Sequence, residues 1–235
     1  MEILDSPKFS ESILKNLERM DKKPRKDYEK IKKLFPENLC ILGGYVRDSI
    51  LNTINGYNFP INDLDIIAFD NNFKKKISCF PKKSMSRFGG LKLKYSDGKT
   101  NFSTDIFSTG NILYLNQNPH LEKNMKNILD GIDLTTSAFA YGICENKIYC
   151  HASGLRDISR REINILNDNS IIPSTLSRLI IHTDKLKFKI GEAGKNYIKR
   201  NYNPEIDVDI IKFLEYKEVP YLFPLVKEGL ESILK

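Results

Sequence analysis

Apolar residues recur every three or four positions through residues 10–35, which is the spacing of helices that pack one face against a core. Proline and basic residues interrupt the repeat, so we expect two helices separated by a break at Lys22–Arg25. A continuous apolar run over Leu39–Leu42 then predicts a short buried strand. The next two residues, Gly43 and Gly44, predict a tight turn into another helix.

Short segments farther along the chain also carry strand or helix patterns. A polar loop over Asn52–Asn62 leads into an apolar strand. Two more strands are predicted over Leu91–Tyr95 and Asn101–Phe107, with Asp97 and Gly98 as their hairpin turn. The other predicted elements are a strand over Lys147–Cys150 and helices over Phe73–Phe80, Pro173–Ile190, Asp207–Tyr216 and Tyr221–Leu234.

Composition narrows the class of protein. With 235 residues, 40% hydrophobic and 29% charged, the chain has the balance of a globular protein. Its net charge of +7 favours a polyanionic partner such as nucleic acid. No apolar stretch is long enough to span a bilayer, so we expect no membrane partner. The four cysteines lack paired spacing, which argues against a zinc site or disulfides and favours a reducing, cytoplasmic compartment.

The glycine turn has the chemistry of a phosphate site. Glycine lets the backbone approach a ligand, and the N–H groups at a helix start carry partial positive charge, so a triphosphate can lie against Gly43 and Gly44. Arg47, one turn into the helix, adds a fork of donors for the same phosphates. The alternative is a plain strand-to-helix turn followed by a surface ion pair between Arg47 and Asp48.

Two acids separated by one residue open the strand after the loop. Residues two apart on a strand point to the same face, so Asp63 and Asp65 project together while Leu64 and Ile66 enter the core. Carboxylates held this close repel unless a hard cation lies between them, and Mg²⁺ is the natural choice because it shares oxygen ligands with phosphates. Asp105, on a later strand, is the predicted third acid.

The order GGYVRD, then DLD, then an acid on a later strand resembles the head domain of the nucleotidyltransferase superfamily that includes DNA polymerase beta. The GG form of the turn with a VRD helix is most similar to the class II branch, the bacterial-type CCA-adding enzymes and poly(A) polymerases. The resemblance implies an α/β (α+β) head with a mixed sheet backed by helices. It also implies two Mg²⁺ ions held by Asp63, Asp65 and Asp105, and a nucleoside triphosphate (NTP) seated by Gly43, Gly44 and Arg47.

A later segment extends the resemblance. Asp133–Tyr141 is similar, in register, to the family's RRDFTINALAY segment, whose acid is associated with recognising ribose, and this implies that Asp133 binds the nucleotide. In CCA-adding relatives a following helix begins with two acids and an arginine that read the incoming base. Here Arg178 matches the arginine, whereas Ser174 and Thr175 replace the acids. This departure argues against a template that selects C and A.

These features predict three regions: N-terminal helices at 1–36 packed on the head, the head at 37–168, and a neck-like helical extension at 169–235. The extension is too short for the long helical body that holds tRNA in the relatives, so a protein partner or a homo-oligomer is one way to supply that grip. Basic residues at Lys74–Lys76, Lys82 and Lys83 are candidates for contacts to RNA phosphates, with a solvated surface as the alternative.

The resemblance implies transfer of a nucleoside monophosphate from an NTP to an acceptor, most simply the 3′ hydroxyl of an RNA such as tRNA, with release of pyrophosphate. Two other interpretations stay open. One is a toxin-like nucleotidyltransferase that modifies a protein or a small molecule. The other is a non-catalytic RNA-binding module built on a decayed head domain.

Overall fold

The chain divides into two compact units in a computed structural model. Unit 1 consists of Met1–Gly131 and Ser137–His151, and unit 2 consists of Ile132–Thr136 and Ala152–Lys235. The structure describes residues 1–37, 39–54, 57–81, 84–85, 89–96, 101–168 and 171–235. The Asp97–Gly98 turn, Lys82 and Lys83 lie outside the described residues.

A mixed β-sheet forms the centre of unit 1. Its seven described strands are β1 (Glu2–Leu4), β2 (Leu39–Leu42), β3 (Asp63–Ala68), β4 (Leu91–Ser96), β5 (Asn101–Ser108), β6 (Phe139–Gly142) and β7 (Lys147–Cys150). They follow one another across the sheet in the order β1-β7-β6-β2-β3-β5-β4. The β3–β5 pair is parallel and the other pairs are antiparallel. The predicted α/β fold with a mixed sheet is therefore confirmed.

Six described α-helices accompany this sheet in unit 1. They are α1 (Pro7–Glu18), α2 (Lys22–Leu34), α3 (Gly44–Ile54), α4 (Phe73–Ile77), α5 (Leu113–Gln117) and α6 (Met125–Asp130). The predicted break at Lys22–Arg25 is wrong, because α2 already begins at Lys22 and the chain turns over residues 19–21. Pro24 lies in the first turn of α2, where a missing N–H costs no helical hydrogen bond.

The core of unit 1 is built around β2, β3 and α3. All four residues of β2 are buried, and Leu64 and Ile66 of β3 are fully buried, as predicted. Seven consecutive residues of α3 are buried as well. One reason is that α1 covers α3, where Asn16 Nδ2 donates to Ser49 Oγ at 2.9 Å. A central strand and helix of this kind hold the residues at their ends in fixed positions.

Unit 2 is mainly helical. Its elements are α7 (Ala152–Arg160), β8 (Glu162–Ile163), α8 (Ile172–Leu186), β9 (Lys189–Ile190), α9 (Glu192–Asn201), α10 (Asp207–Tyr216) and α11 (Phe223–Leu234). The short strands β8 and β9 pair in parallel. Leu176, Ile210 and Leu230 are fully buried where α8, α10 and α11 pack together.

One prediction for unit 2 needs correction, and one helix of this unit was missed. The helix predicted over Pro173–Ile190 ends at Leu186, because Lys187 adopts a left-handed backbone with φ of 55° and the chain then pairs as β9. The helix α9 was not predicted, since charged and small residues dominate its sequence. The helix at Asp207–Tyr216 is confirmed.

Within the described residues, none of the helices has the length and apolar content needed to cross a membrane. All four cysteines are free thiols; Cys40 and Cys150 are buried, and Cys79 and Cys144 are exposed.

Candidate active site

The turn between β2 and α3 depends on a glycine. Gly43 has φ of +69°, a conformation that costs a residue with a side chain about 1–2 kcal/mol. Its N–H donates to Phe139 O at 2.8 Å, which ties the turn to β6. Because that N–H is already bonded, the donors left for a phosphate are the N–H groups in the first turn of α3, which begins at Gly44.

The predicted phosphate-binding arginine is buried. Arg47 is 1% exposed, and its Nε donates to Asp48 Oδ1 at 2.7 Å. A Cβ on Gly44 would lie 3.4 Å from Arg47 Nη2, so the guanidinium turns back toward the glycines. The ion pair with Asp48 is real, but it lies inside the fold and not on the surface. A phosphate contact by Arg47 stays a prediction, whereas its packing against the turn is a feature of the structure.

Three aspartates share one face of two neighbouring strands, and we call Asp63, Asp65 and Asp105 the carboxylate face. Asp65 of β3 lies directly opposite Asp105 of β5 in the parallel register, and Asp63 lies opposite Ser103. Opposed residues on paired strands point to the same side of a sheet, as do residues two apart on one strand. Asp63 is exposed, and Asp65 and Asp105 are half-buried. Asp105 therefore lies on the strand next to Asp63 and Asp65, and its part in a metal site stays a prediction.

The glycine turn borders this face. A Cβ on Gly43 would lie 3.9 Å from Asp65 Oδ2, which is ordinary van der Waals contact. The turn and the acids meet because β2 and β3 are paired, with Leu42 opposite Asp65. Helix N–H groups that attract phosphate and carboxylates that attract cations therefore lie side by side.

A lysine that the sequence analysis did not single out pairs with the third acid. Lys92 Nζ of β4 lies 2.8 Å from Asp105 Oδ2, and both side chains are about one-third exposed. The antiparallel register puts Lys92 directly opposite Asp105, so the pairing follows from the sheet. The alternation of polar residues on β4 was visible in the sequence, but its register against β5 was not.

The donor set of the carboxylate face suits a divalent cation. Three carboxylates offer the hard oxygen ligands that Mg²⁺ prefers, and their like charges favour a cation between them. The oxygens are not gathered into a finished cluster: within the described ranges, no three or more His, Cys, Asp or Glu side chains are placed to hold a metal ion. Binding through Asp105 Oδ2 therefore requires the ammonium of Lys92 to give way to the cation.

The other two predicted nucleotide contacts belong to unit 2 and bind each other. Arg178 Nη1 donates to Asp133 Oδ1 at 2.5 Å. Asp133 is 7% exposed and also accepts from Thr175 Oγ1 at 3.3 Å and from the N–H of Leu134 at 2.9 Å. The threonine that replaces a template acid therefore bonds to the acid of the earlier segment. A sequence pattern does not reveal this link, because the two segments are 42 residues apart.

Comparison with solved structures defines the class of fold. The chain has the nucleotidyltransferase head fold of the CCA-adding enzymes, so the resemblance seen in GGYVRD and DLD is confirmed for the fold. No protein-family model matches the chain, and no curated protein matches it.

Three of the similar structures illustrate the match. A CCA-adding enzyme with ATP has a TM-score of 0.57 and 22% identity, with 96% of this chain and 54% of that chain covered. The Thermotoga maritima CCA-adding enzyme complexed with tRNA has a TM-score of 0.56 and 22% identity, covering 92% and 52%. A tRNA nucleotidyltransferase complexed with a primer tRNA and an incoming ATP analogue has a TM-score of 0.54 and 19% identity, covering 86% and 59%. This chain thus spans about half the length of those structures.

Proposed function

We propose that this protein is a nucleotidyltransferase that transfers a nucleoside monophosphate from an NTP to the 3′ hydroxyl of an RNA and releases pyrophosphate. The observation that carries the proposal is the carboxylate face, Asp63, Asp65 and Asp105, beside a glycine turn that opens α3. The similar structures support the substrate classes, because they include enzymes with ATP, with CTP and with tRNA.

The residues of this chain have separate tasks in the proposed reaction. Asp63, Asp65 and Asp105 would hold the two magnesium ions, with Asp105 exchanging its pairing with Lys92 for the metal. Magnesium would supply neutralisation of the triphosphate and a lower pKa for the attacking hydroxyl. An oxygen of Asp105 accepts the proton of that hydroxyl. The hydroxyl oxygen then bonds to the α-phosphorus as the bond from that phosphorus to pyrophosphate breaks.

The triphosphate lies against the glycine turn. The first-turn N–H groups of α3 donate to its oxygens, and Gly43 and Gly44 leave room for it. Arg47 positions this turn through its buried pair with Asp48. In unit 2, Arg178 is 35% exposed and is oriented by Asp133, so we assign the nucleotide contact to Arg178 and the orienting task to Asp133.

The proposal is tested by transfer from labelled NTPs, each of the four in turn, to a pool of RNA in the presence of Mg²⁺. We expect extended RNA with the wild-type protein, and a loss of about a thousandfold or more with Asp63→Ala or Asp65→Ala. Circular dichroism of both variants checks that the fold is intact. Asp130→Ala is the matched control, since Asp130 is a carboxylate of the same unit that is paired with Lys126 on α6. Extension that persists in both Asp63→Ala and Asp65→Ala would remove the carboxylate face from the mechanism.

A second candidate is an RNA-binding module without catalysis. The Lys92–Asp105 ion pair favours it, because an internal ammonium already neutralises part of the carboxylate face. NTP binding separates the two candidates: an active site binds NTP more tightly when Mg²⁺ is added, and a decayed site shows no such dependence. Equilibrium dialysis with labelled ATP, with and without Mg²⁺, gives the answer.

A further inference from the structure

Helix α2 concentrates the positive charge of the chain. Over its 13 residues it carries seven cationic and two acidic side chains, an excess of five, compared with +7 for the whole chain. The buried side of the helix is formed by Pro24, Tyr28 and Ile31. All seven cationic side chains are exposed: Lys22, Lys23, Arg25, Lys26, Lys30, Lys32 and Lys33.

Four of these lysines form a line along the helix, and we call Lys22, Lys26, Lys30 and Lys33 the basic stripe. They are spaced by four, four and three residues, which places them on one side of an α-helix, opposite the buried residues. From the first to the last the stripe is about 16 Å long, at 1.5 Å per residue. It is therefore too long for one small anion to neutralise.

The cations of α2 contact neutral groups of the fold: Arg25 Nη1 donates to Glu18 O at 3.1 Å, and Lys23 lies over the ring of Tyr95. None of its seven cations forms an ion pair with a carboxylate in the part of the chain that the structure describes. Asp27 is engaged elsewhere, since it accepts a hydrogen bond from Tyr95 Oη at 2.9 Å. Lys30 packs over the ring of Phe80, with Nζ 4.0 Å from its centroid. By contrast, Lys126, Lys187, Lys189 and Lys212 each pair with an acid.

The side chains of the basic stripe indicate which class of molecule can bind there. A helix that binds a membrane surface needs apolar residues to insert beside its charges, and every exposed residue of α2 is charged. A surface cavity of about 720 Å³ borders the helix, and its described lining comes from Met20 and from α2, with five cations and the two acids Asp27 and Glu29. A line of lysines along a concave surface suits a chain of phosphates, which lysine contacts as a point charge.

We propose that the basic stripe of α2 binds the phosphodiester backbone of the RNA acceptor. The inference rests on the proposed function for the identity of the polyanion, and on the unpaired charges of α2 for its location. Contacts of this kind are independent of sequence and weaken as salt rises, because each bound phosphate releases counterions. The stripe therefore contributes affinity for RNA and no choice of base.

The test measures binding of a fluorescein-labelled single-stranded RNA by anisotropy, without NTP and without divalent metal. The variant is Lys22→Gln/Lys26→Gln/Lys33→Gln, which leaves Lys30 and its contact with Phe80 in place. At about 0.1 M salt we expect its affinity to fall at least tenfold. The slope of log affinity against log salt should also become shallower by about 2, at roughly 0.7 per lost phosphate contact.

The matched control is Lys187→Gln/Lys189→Gln/Lys212→Gln. It removes the same three positive charges, but from lysines that are paired with Asp184, Glu162 and Asp209. We expect less than a threefold change in affinity. Equal losses in the two triple variants would show that only net charge matters and would overturn the proposal, as would an α2 variant that binds like the wild type.

Competition and catalysis separate the remaining outcomes. Unlabelled RNA should displace the labelled RNA, whereas poly-glutamate at the same concentration of charge should not. Equal displacement by both would favour an acidic protein as the partner and would overturn the RNA assignment. In the same titration, the Asp63→Ala variant should bind RNA as tightly as the wild type if the basic stripe is the binding site. If RNA binds through α2 but is never extended, the proposed reaction fails and this inference stands. If RNA is extended and the α2 variant binds normally, only this inference fails.

Discussion

Two groups of aspartates in this chain have opposite surroundings. On the carboxylate face of unit 1, Asp63 is exposed and Asp65 and Asp105 are half-buried. In unit 2, Asp133 is 7% exposed and accepts hydrogen bonds from two side chains and one backbone N–H. An accessible carboxylate beside others of like charge gains from binding a cation, whereas a buried and fully bonded one stabilises the fold.

The sequence resemblance gives both groups of aspartates a role in binding, and their different surroundings distinguish the two groups. Both groups were expected to bind the nucleotide or its metal ions. From these surroundings we propose ligand binding for Asp63, Asp65 and Asp105, and a structural role for Asp133, which pairs with Arg178. Mutations at the two groups should therefore change different measured quantities.

The largest expected effect on stability is at Asp133. Asp133→Asn keeps the size of the side chain but removes the charge that pairs with Arg178, so we expect the free energy of unfolding to fall by about 2–3 kcal/mol. Asp63→Asn, at an exposed position, should change it by less than about 0.5 kcal/mol. Urea denaturation at pH 7 measures both. Equal losses of stability would erase the distinction between the two groups.

Removing the lysine beside the carboxylate face should strengthen metal binding. Lys92→Gln frees Asp105 Oδ2 and deletes a positive charge, so we expect Mn²⁺ to bind about five- to tenfold more tightly, or roughly 1 kcal/mol. Lys94→Gln is the control, because Lys94 is exposed and lies two residues along on the same side of β4. Free Mn²⁺ is measured by electron paramagnetic resonance. If the two variants bind Mn²⁺ equally, Lys92 does not compete with the cation.

The glycine turn should show a smaller, purely conformational effect. Gly43→Ala places a side chain at φ of +69°, and we expect a loss of about 1 kcal/mol in the free energy of unfolding. Gly44→Ala should cost less than about 0.5 kcal/mol, since Gly44 has no positive φ and its added Cβ meets only the end of Arg47 at 3.4 Å. Thermal and urea unfolding distinguish them. A costlier change at Gly44 would mean that packing and not backbone strain governs the turn.

Local patterns were enough to predict the parts of the site that depend on neighbouring residues. The apolar run of β2 and the alternation around Asp63 and Asp65 determine which side chains enter the core, so the position of these acids followed from the sequence. Each of these features involves one strand and its alternation of two residues. The strand that carries Asp105 was predicted in the same way, but the position of Asp105 beside Asp65 depends on the pairing of β5 with β3.

The rest depended on contacts between distant segments. Arg47 and Asp48 carry charges that a sequence pattern assigns to the surface, but α3 lies between α1 and the sheet, and the pair is buried. The Lys92–Asp105 pair requires the register of β4 on β5. Similarly, Asp133 meets Arg178 only because two segments 45 residues apart fold together. The charge of a side chain does not indicate which residue it pairs with in the folded protein.

The smallest expected effect concerns Asp70, an aspartate of intermediate surroundings just after β3. Its carboxylate accepts a hydrogen bond from Lys76 Nζ at 2.5 Å, and this bond lowers the pKa of Asp70. Because the folded pKa lies below the unfolded one, the ionised pair stabilises the protein above about pH 4, and this contribution is lost as pH falls through the folded pKa. Asp70→Asn should therefore lower the free energy of unfolding by about 0.5 kcal/mol at pH 6 and by less at pH 3. Asp184→Asn, whose side chain is 54% exposed beside Lys187, is the control and should change stability little at either pH. Urea denaturation at both pH values measures the difference, and an Asp70→Asn deficit that stays constant between them would show that shape, not charge, gives Asp70 its role.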